Sequence, residues 1–183
     1  MASVIGWLNR RLGASAPAWT AFLASLVLSS IAIGGSSVLN RDGMLYVDAA
    51  RGFLADGYPA LIGTFDWLLL PMLIAGLGSL TGIALETAGH LIDGLLLAGA
   101  CGVMVDLVRR HQPEDAALAW AACLVVLAMP GYNGYRDQLL REFGWPFRAV
   151  LALWVGLRWD RTGCRWREAL RRGHQEAGPA AGS

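Results

Sequence analysis

The stretch APAWTAFLASLVLSSIAIGGSSVL, residues 16–39, decides the fold class of this chain. It carries no charged side chain, and as an α-helix it is long enough to cross a bilayer core of about 30 Å. Arg10 and Arg11 precede it, as in the basic segment of a signal peptide. The apolar stretch is long for a cleavable signal, however, and no small-x-small cleavage site follows it. The sequence therefore predicts a retained membrane anchor.

The composition of the whole chain also indicates a membrane protein. Of its 183 residues, 55% are hydrophobic, and the mean hydropathy is positive. The formal net charge of +1 gives no basis for nucleic-acid binding. All 15 basic residues are arginine, which together with the high alanine and glycine content is typical of a GC-rich bacterial genome. No C-x-x-C pair occurs, so neither a zinc site nor a disulfide framework is indicated.

The arginines predict how the apolar stretches cross the membrane, because cytoplasmic loops are enriched in arginine. The arginine clusters, at 10–11, 109–110 and 158–172, fall on one side only if the stretch 67–85 stays at the outer interface. Pro71 and several glycines also make 67–85 a poor straight helix. The sequence thus predicts an all-α integral membrane protein with four transmembrane helices, near 16–38, 84–108, 115–131 and 143–159. We expect a bacterial inner membrane location with both termini cytoplasmic.

This topology leaves a long first outer loop, about 39–83, with two amphipathic helices expected near 42–57 and 66–79. Within the loop, NRDGMLYVDAARGFLADGYPALIGTFD (40–66) carries four aspartates but keeps apolar residues at helical spacing. Two interpretations are open, a solvated interfacial helix and an active-site loop on the outer membrane surface. We expect one membrane domain, 1–160, and a basic cytoplasmic tail, 161–183, whose Gly/Ala/Pro-rich end is predicted to be disordered.

The stretch Asp42-Gly43-Met44-Leu45-Tyr46-Val47-Asp48-Ala49-Ala50 resembles the acidic motif D-E-x-x-Y-x-x-x-A of glycosyltransferases with the GT-C fold. That group includes the protein O-mannosyltransferases and the bacterial aminoarabinose–lipid A transferases. In these families a first helix delivers the motif to the outer membrane surface. Here the first acid, the tyrosine four residues on and the alanine fall in register, whereas Gly43 replaces the second acid.

Two downstream stretches extend the resemblance over about residues 16–160. Phe65-Asp66-Trp67-Leu68-Leu69-Leu70-Pro71 corresponds to the Pro-Pro-Leu helix of the family without its proline pair, and His90 stands where the family has an arginine. Tyr135-Arg136-Asp137-Gln138-Leu139-Leu140-Arg141-Glu142-Phe143 is similar to the R-x-E/D-type stretch that opens a fourth span. Family members carry more spans than this chain, so the resemblance implies that a second membrane protein subunit supplies the rest.

Enzymes of this group transfer a sugar from a polyprenyl-phosphate donor. The reaction requires a base for the acceptor hydroxyl and positive charge for the phosphate leaving group. Asp42 is the candidate base, because the first span fixes its height at the membrane rim. A role as helix N-cap is equally compatible with its position. Tyr46, one turn later on the same face, is a candidate for lining the site, with an interfacial aromatic as the alternative.

A cluster of charges before the predicted fourth span supplies the other candidates. Glu142 is the second candidate catalytic acid, which would position the acceptor or a metal. Arg136 and Arg141 are candidates for binding the phosphate, since guanidinium groups bind phosphate bidentately. With Asp137 the cluster also fits a divalent cation, and metal dependence is left open. The alternative is a salt-bridged loop that faces outward without a ligand.

His90 and Asp93 lie three residues apart on a predicted membrane helix and therefore share a face. Ionisable residues within a span are costly, which makes them candidate functional residues. His90, near the outer interface, is a candidate contact for the lipid phosphate, whereas we expect Asp93 to pair with Arg148. Asp66 is a candidate for the same rim, with a turn or cap role as the alternative.

Two functions follow from these residues. The first is a membrane glycosyltransferase module that acts on a polyprenyl-phosphate sugar at the periplasmic side, amid membrane lipid and with a partner chain. The second is a non-catalytic membrane subunit that scaffolds a larger complex. The enzyme requires Asp42 and Glu142 to face a common cavity. The scaffold predicts that these side chains are paired or solvated and that apolar faces are left for a partner.

Overall fold

The structure, a computed structural model, describes residues 13, 15–35, 40–62, 68–139, 151 and 153–155. Over these residues the secondary structure is helical and contains no strand, so the all-α prediction is confirmed for them. The helices are α1 (Ala16–Gly35), α2 (Arg41–Asp56), α3 (Leu69–Thr81), α4 (Leu85–His111), α5 (Ala116–Ala128) and the single-turn α6 (Pro130–Asn133), with a 3₁₀ helix (Tyr58–Leu61) after α2.

Two helices, α1 and α4, are long and apolar enough to cross a membrane. With 20 and 27 residues, they extend over about 30 and 40 Å at 1.5 Å per residue. Glu86 is in the first turn of α4, and Arg109, Arg110 and His111 are in the last, where each sign complements the helix dipole. Asp93 and Asp106 lie within the helix. These two helices match the spans predicted near 16–38 and 84–108, and they indicate an association with membrane.

The other two predicted spans are not confirmed. Helix α5 has 13 residues, fewer than the roughly 20 that a spanning helix needs. It stops because Met129 precedes Pro130 and is extended, with ψ 116°, as residues before a proline prefer. The stretch 143–159 lies outside the described residues except for 151 and 153–155, which are helical.

The two helices expected in the first outer loop are present. Helix α2 buries one face and exposes its charged side chains, as an amphipathic helix does; the buried residues are Gly43, Tyr46, Val47, Ala49 and Ala50. Helix α3 ends at Gly82, whose φ of 72° lies in the left-handed region that glycine adopts without strain. Since α4 begins three residues later, 67–85 does not form one continuous span.

Helix α4 joins two hydrophobic clusters. The bundle core unites α4 with α1 and α5, and consists of Ala21, Leu97, Cys101, Val105, Cys123 and Val126. The loop core unites the beginning of α4 with α2, α3 and the segment after α6, and consists of Tyr46, Val47, Ala50, Ile74, Ala75, Ala88 and Leu139. Along α4, Asp93 comes between the two clusters and is 4% exposed. Its position marks a buried polar zone at the junction.

Leu139 contacts the beginnings of two helices, α4 and α2. A Cβ at Gly89 would lie 2.9 Å from each Cδ of Leu139, so a larger residue at this point of α4 would require the end of the Leu139 side chain to move. The Asn40 side chain bonds the Leu139 backbone twice: Oδ1 accepts from the Leu139 N–H at 3.0 Å, and Nδ2 donates to its carbonyl at 3.4 Å. The residue that opens α2 is thereby fastened to a residue 99 positions later.

Replacing Asn40 tests whether this pair of hydrogen bonds stabilises the fold. Asn40→Ala leaves the buried backbone groups of Leu139 without partners, so we expect the free energy of unfolding to fall by about 1–3 kcal/mol. Asn40→Asp keeps the acceptor for the Leu139 N–H, so its loss is expected to be smaller.

Circular dichroism during denaturant titration of the detergent-solubilised chain measures the difference. The matched control is Gln112→Ala, which removes an exposed amide and is expected to change stability by no more than about 0.5 kcal/mol. Equal effects of Asn40→Ala and Gln112→Ala would show that the Asn40–Leu139 contact contributes nothing.

Candidate functional site

Asp42 lies in the first turn of α2 with an exposed side chain. The carboxylate is therefore accessible to solvent at the start of the helix. The N-cap interpretation of Asp42 is wrong, because α2 begins at Arg41 and its N-cap is Asn40. The Asn40 side chain makes no capping bond and is used for Leu139 instead. Asp42 is therefore an exposed residue of the first turn and not the cap of the helix.

Tyr46 lies one turn further along α2 but points into the protein. It is 3% exposed and belongs to the loop core, where it clusters with Val47, Ile74 and Leu139. This burial does not fit the alternative of an exposed interfacial aromatic. Its position next to Leu139 places the ring in the group of residues that fixes the start of α2.

Arg136 is the most densely bonded residue of the site. It is 5% exposed. Its Nη1 donates to the Ser25 carbonyl, the Ser25 hydroxyl and the Ser29 hydroxyl, each at 3.0 Å, and its Nε donates to Asn133 Oδ1 at 2.7 Å. The arginine therefore faces inward, not outward as in the alternative of a salt-bridged outer loop. Its buried Nη2 makes no hydrogen bond within the described part of the chain.

The turn that places Arg136 depends on Pro130 and Asn133. The chain leaves α5 at Met129, makes the single turn of α6, and continues in turns over 134–137. Asn133 Nδ2 donates to the Leu127 carbonyl at 2.9 Å, so the asparagine ties the turn back to the end of α5 while its Oδ1 accepts from Arg136.

The beginning of α4 lies beside the turn that carries Arg136, because His90 of α4 is close to Asp137. His90 is half-buried, and the Asp137 carboxylate is near enough to interact with it electrostatically. Gly89, adjacent to His90, is in contact with Leu139. Asp93, one turn below His90, is buried. The pairing predicted for Asp93 with Arg148 cannot be placed, since Arg148 lies outside the described residues.

Three separate segments thus meet around Leu139: the start of α2 with Asp42, the start of α4 with His90, and the turn 136–139. We call this group the junction site. The segments that carry four of the predicted site residues, Asp42, Tyr46, His90 and Arg136, meet here, but the Arg136 guanidinium reaches away to Ser25 and Ser29 in the middle of α1. Asp66, Arg141 and Glu142 lie outside the described residues. Among the residues that are described, no three His, Cys, Asp or Glu side chains form a group able to hold a metal ion.

Sequence reasoning missed three residues of this site. Ser25 and Ser29 stand one turn apart in a largely apolar helix, and this spacing is the signal that could have identified them as partners of a buried polar group. Asn40 gave the ordinary signal of a helix N-cap, and nothing in the sequence indicated its bond to Leu139.

Comparisons of the chain with protein-family models, curated proteins and solved structures gave no match. The resemblance to GT-C glycosyltransferases therefore depends on the quoted motifs alone. The contacts that join the segments of Asp42, His90 and Arg136 do not depend on that resemblance.

Removing the two hydroxyls that hold Arg136 tests the polar zone. We expect Ser25→Ala combined with Ser29→Ala to lower the free energy of unfolding by about 1–3 kcal/mol for each bond left unmade at the buried guanidinium. Denaturant titration followed by circular dichroism gives the value. Ser30→Ala is the matched control, because the exposed Ser30 hydroxyl bonds only the Leu26 carbonyl of its own helix. A double variant as stable as Ser30→Ala would mean that Arg136 is held by other groups.

Proposed function

We propose that this chain is a membrane glycosyltransferase module that transfers a sugar from a polyprenyl-phosphate donor. In this proposal Asp42 is the catalytic base, and positively charged side chains of the junction site bind the phosphate. The observation that carries the proposal is the double hydrogen bond between Asn40 and Leu139, which brings the start of α2 to the segment of Arg136 and Asp137. The reaction needs a base for the acceptor hydroxyl and a cation for the phosphate leaving group within one site. The contact between Asn40 and Leu139 brings the segments that carry these residues together.

The proposed reaction is a substitution at the anomeric carbon of the donor sugar. The Asp42 carboxylate takes the proton of the acceptor hydroxyl while the acceptor oxygen forms a bond to that carbon. The bond between the carbon and the phosphate oxygen breaks, and the oxygen retains the electron pair. Polyprenyl phosphate leaves with one more negative charge, which cationic side chains stabilise.

Arg136 and His90 are the proposed phosphate contacts among the described residues. The unused Nη2 of Arg136 supports this role, because a buried guanidinium nitrogen without a partner is costly and an anion would satisfy it. Nε and Nη1 hold the side chain in place before the donor arrives, so little conformational freedom is lost on binding. In this proposal the His90 imidazole donates a hydrogen bond to the same phosphate. We assign Arg141 to the same phosphate and Glu142 to positioning of the acceptor or a divalent cation.

The proposal includes a topology and a partner. We place the chain in a bacterial inner membrane with four crossings, both termini cytoplasmic and the junction site on the periplasmic side. The arginines at the end of α4 support this orientation, since they would lie on the cytoplasmic face. We also propose a second membrane subunit, because members of the group that the motifs resemble carry more spans than this chain.

A scaffold subunit is the second candidate, and two observations favour it. Asp42 is solvated, as expected of a carboxylate without a catalytic role. Large apolar side chains are also exposed along α1 and α5, where a partner helix or lipid would cover them; they are Leu23, Val27, Ile31, Leu124 and Val125. Both candidates predict an apolar contact surface, so only an activity measurement separates them.

The deciding experiment is a transfer assay on the complex as it is purified from its native membrane. Mass spectrometry follows the conversion of a polyprenyl-phosphate-linked sugar to polyprenyl phosphate. Asp42→Asn keeps the size of the side chain but removes the base, so we expect the rate to fall by about 10²–10⁴-fold, while donor binding is retained.

Asp48→Asn is the matched control for that experiment. Asp48 is an exposed aspartate on the same helix, and it pairs with Arg51 at 2.8 Å, so its variant is expected to keep the parent rate. Equal rates for the two variants would exclude Asp42 as the base. Purification of the chain as a fixed subunit of a complex without transfer activity or polyprenyl lipid would establish the scaffold role instead.

A further inference from the structure

A groove runs along the opposite end of the bundle from the junction site. It lies between the first half of α1 and the second half of α4, and it encloses about 440 Å³. This volume is within the range of roughly 300–1,000 Å³ that is usual for small-molecule sites. Its walls are largely apolar, and its charged end is formed by the last turns of α4. The residues that line it include Ala18, Trp19, Phe22, Gly102, Val103 and Arg109.

The apolar walls form because α1 and α4 come close at Gly102. A Cβ at Gly102 would lie 3.2 Å from the Phe22 Cβ and 3.3 Å from the Ala18 carbonyl oxygen. The two helices are therefore in close contact at Gly102. Trp19 and Phe22 are packed edge to face, with ring centroids 5.9 Å apart, and Trp19 is 61% exposed. A large aromatic surface is therefore accessible beside the groove.

The charged end is organised by Asp106. Its carboxylate accepts from Arg109 at 2.6 and 3.1 Å, from Arg110, and from the indole N–H of Trp154 at 2.8 Å. The Arg110 guanidinium also lies 5.3 Å from the centroid of the Trp154 ring, a cation–π distance. Two arginines are thus held beside the groove by one carboxylate. Asp106, Arg109 and Arg110 together carry one net positive charge, and both guanidinium groups are partly accessible to solvent.

We propose that this groove binds one acyl chain of an anionic phospholipid, whose phosphate contacts Arg109 and Arg110. An apolar channel with a net positive end is the complement of an amphiphile with a negative head. A free phosphate would make no use of the apolar walls, and a neutral lipid would make little use of the two arginines. Guanidinium groups bind phosphate oxygens bidentately, and basic residues at a membrane surface attract anionic lipid. The site is separate from Asp42 and does not depend on the transfer reaction.

Native mass spectrometry of the full chain in detergent tests the proposal with two lipids, phosphatidylglycerol and phosphatidylcholine, added at equal concentration. We expect retention of one phosphatidylglycerol in preference to phosphatidylcholine. Arg109→Gln is expected to weaken phosphatidylglycerol retention about fivefold, as for loss of one arginine at an anionic surface. Arg51→Gln is the matched control and is expected to bind as the parent does, because Arg51 makes the same i, i+3 ion pair with an aspartate but lies outside the groove.

A second pair of variants tests the apolar walls. Val103→Phe places a larger side chain in the groove and is expected to reduce retention of phosphatidylglycerol about tenfold, comparable with the loss of 1.4 kcal/mol of binding free energy. The control Val125→Phe makes the same change at an exposed position of α5. Equal retention of the two lipids, or identical retention by Val103→Phe and Val125→Phe, would overturn the proposal. If circular dichroism shows that Val103→Phe has lost helicity, the comparison of Arg109→Gln with Arg51→Gln decides.

Discussion

The buried guanidinium of Arg136 is the constraint on which the rest of the structure depends. A charged group in the interior is tolerated only where hydrogen bonds replace its lost hydration. Here two serines of α1 and Asn133 of α6 supply those bonds. Because these partners come from distant parts of the chain, satisfying one guanidinium fixes how α1, α5 and the following turn lie together.

The position of Leu139 follows from that constraint. Arg136 holds the turn against α1, and three residues later Leu139 enters the loop core, where Gly89 leaves room for it. Its backbone then receives Asn40. The start of α2, and Asp42 with it, is therefore positioned by a chain of contacts that begins at a buried charge.

Helix α4 gives the molecule two chemically different ends. Its first turns meet the junction site, and its last turns hold Asp106, Arg109 and Arg110 beside an apolar groove. Asp93 comes between them, at the boundary of the two hydrophobic clusters. The two ends of one long helix therefore present different chemistry.

Local patterns were sufficient for the helices whose boundaries depend on local chemistry. The charge-free stretch at 16–39 predicted α1, the periodicity of 40–57 predicted α2, and the glycine at 82 separated α3 from α4. The third span was overestimated, because hydropathy alone continues past Met129 whereas the backbone restriction before Pro130 ends α5 at Ala128. The alternative that made Asp42 the N-cap of α2 was wrong by two residues. Asn40 and Asp42 are both good cap residues, and nothing in the local sequence separates them.

The sequence by itself determined the all-helical class, the two long apolar helices and the identity of the charged residues that they carry. Only the tertiary structure decided which of these residues meet. Whether Arg136 faces outward or inward depends on Ser25 and Ser29, more than a hundred residues away, and the partner of Asn40 is just as distant. Helical periodicity specifies which side chains share a face, but the balance of burial and hydrogen bonding over the whole chain selects the faces that pack together.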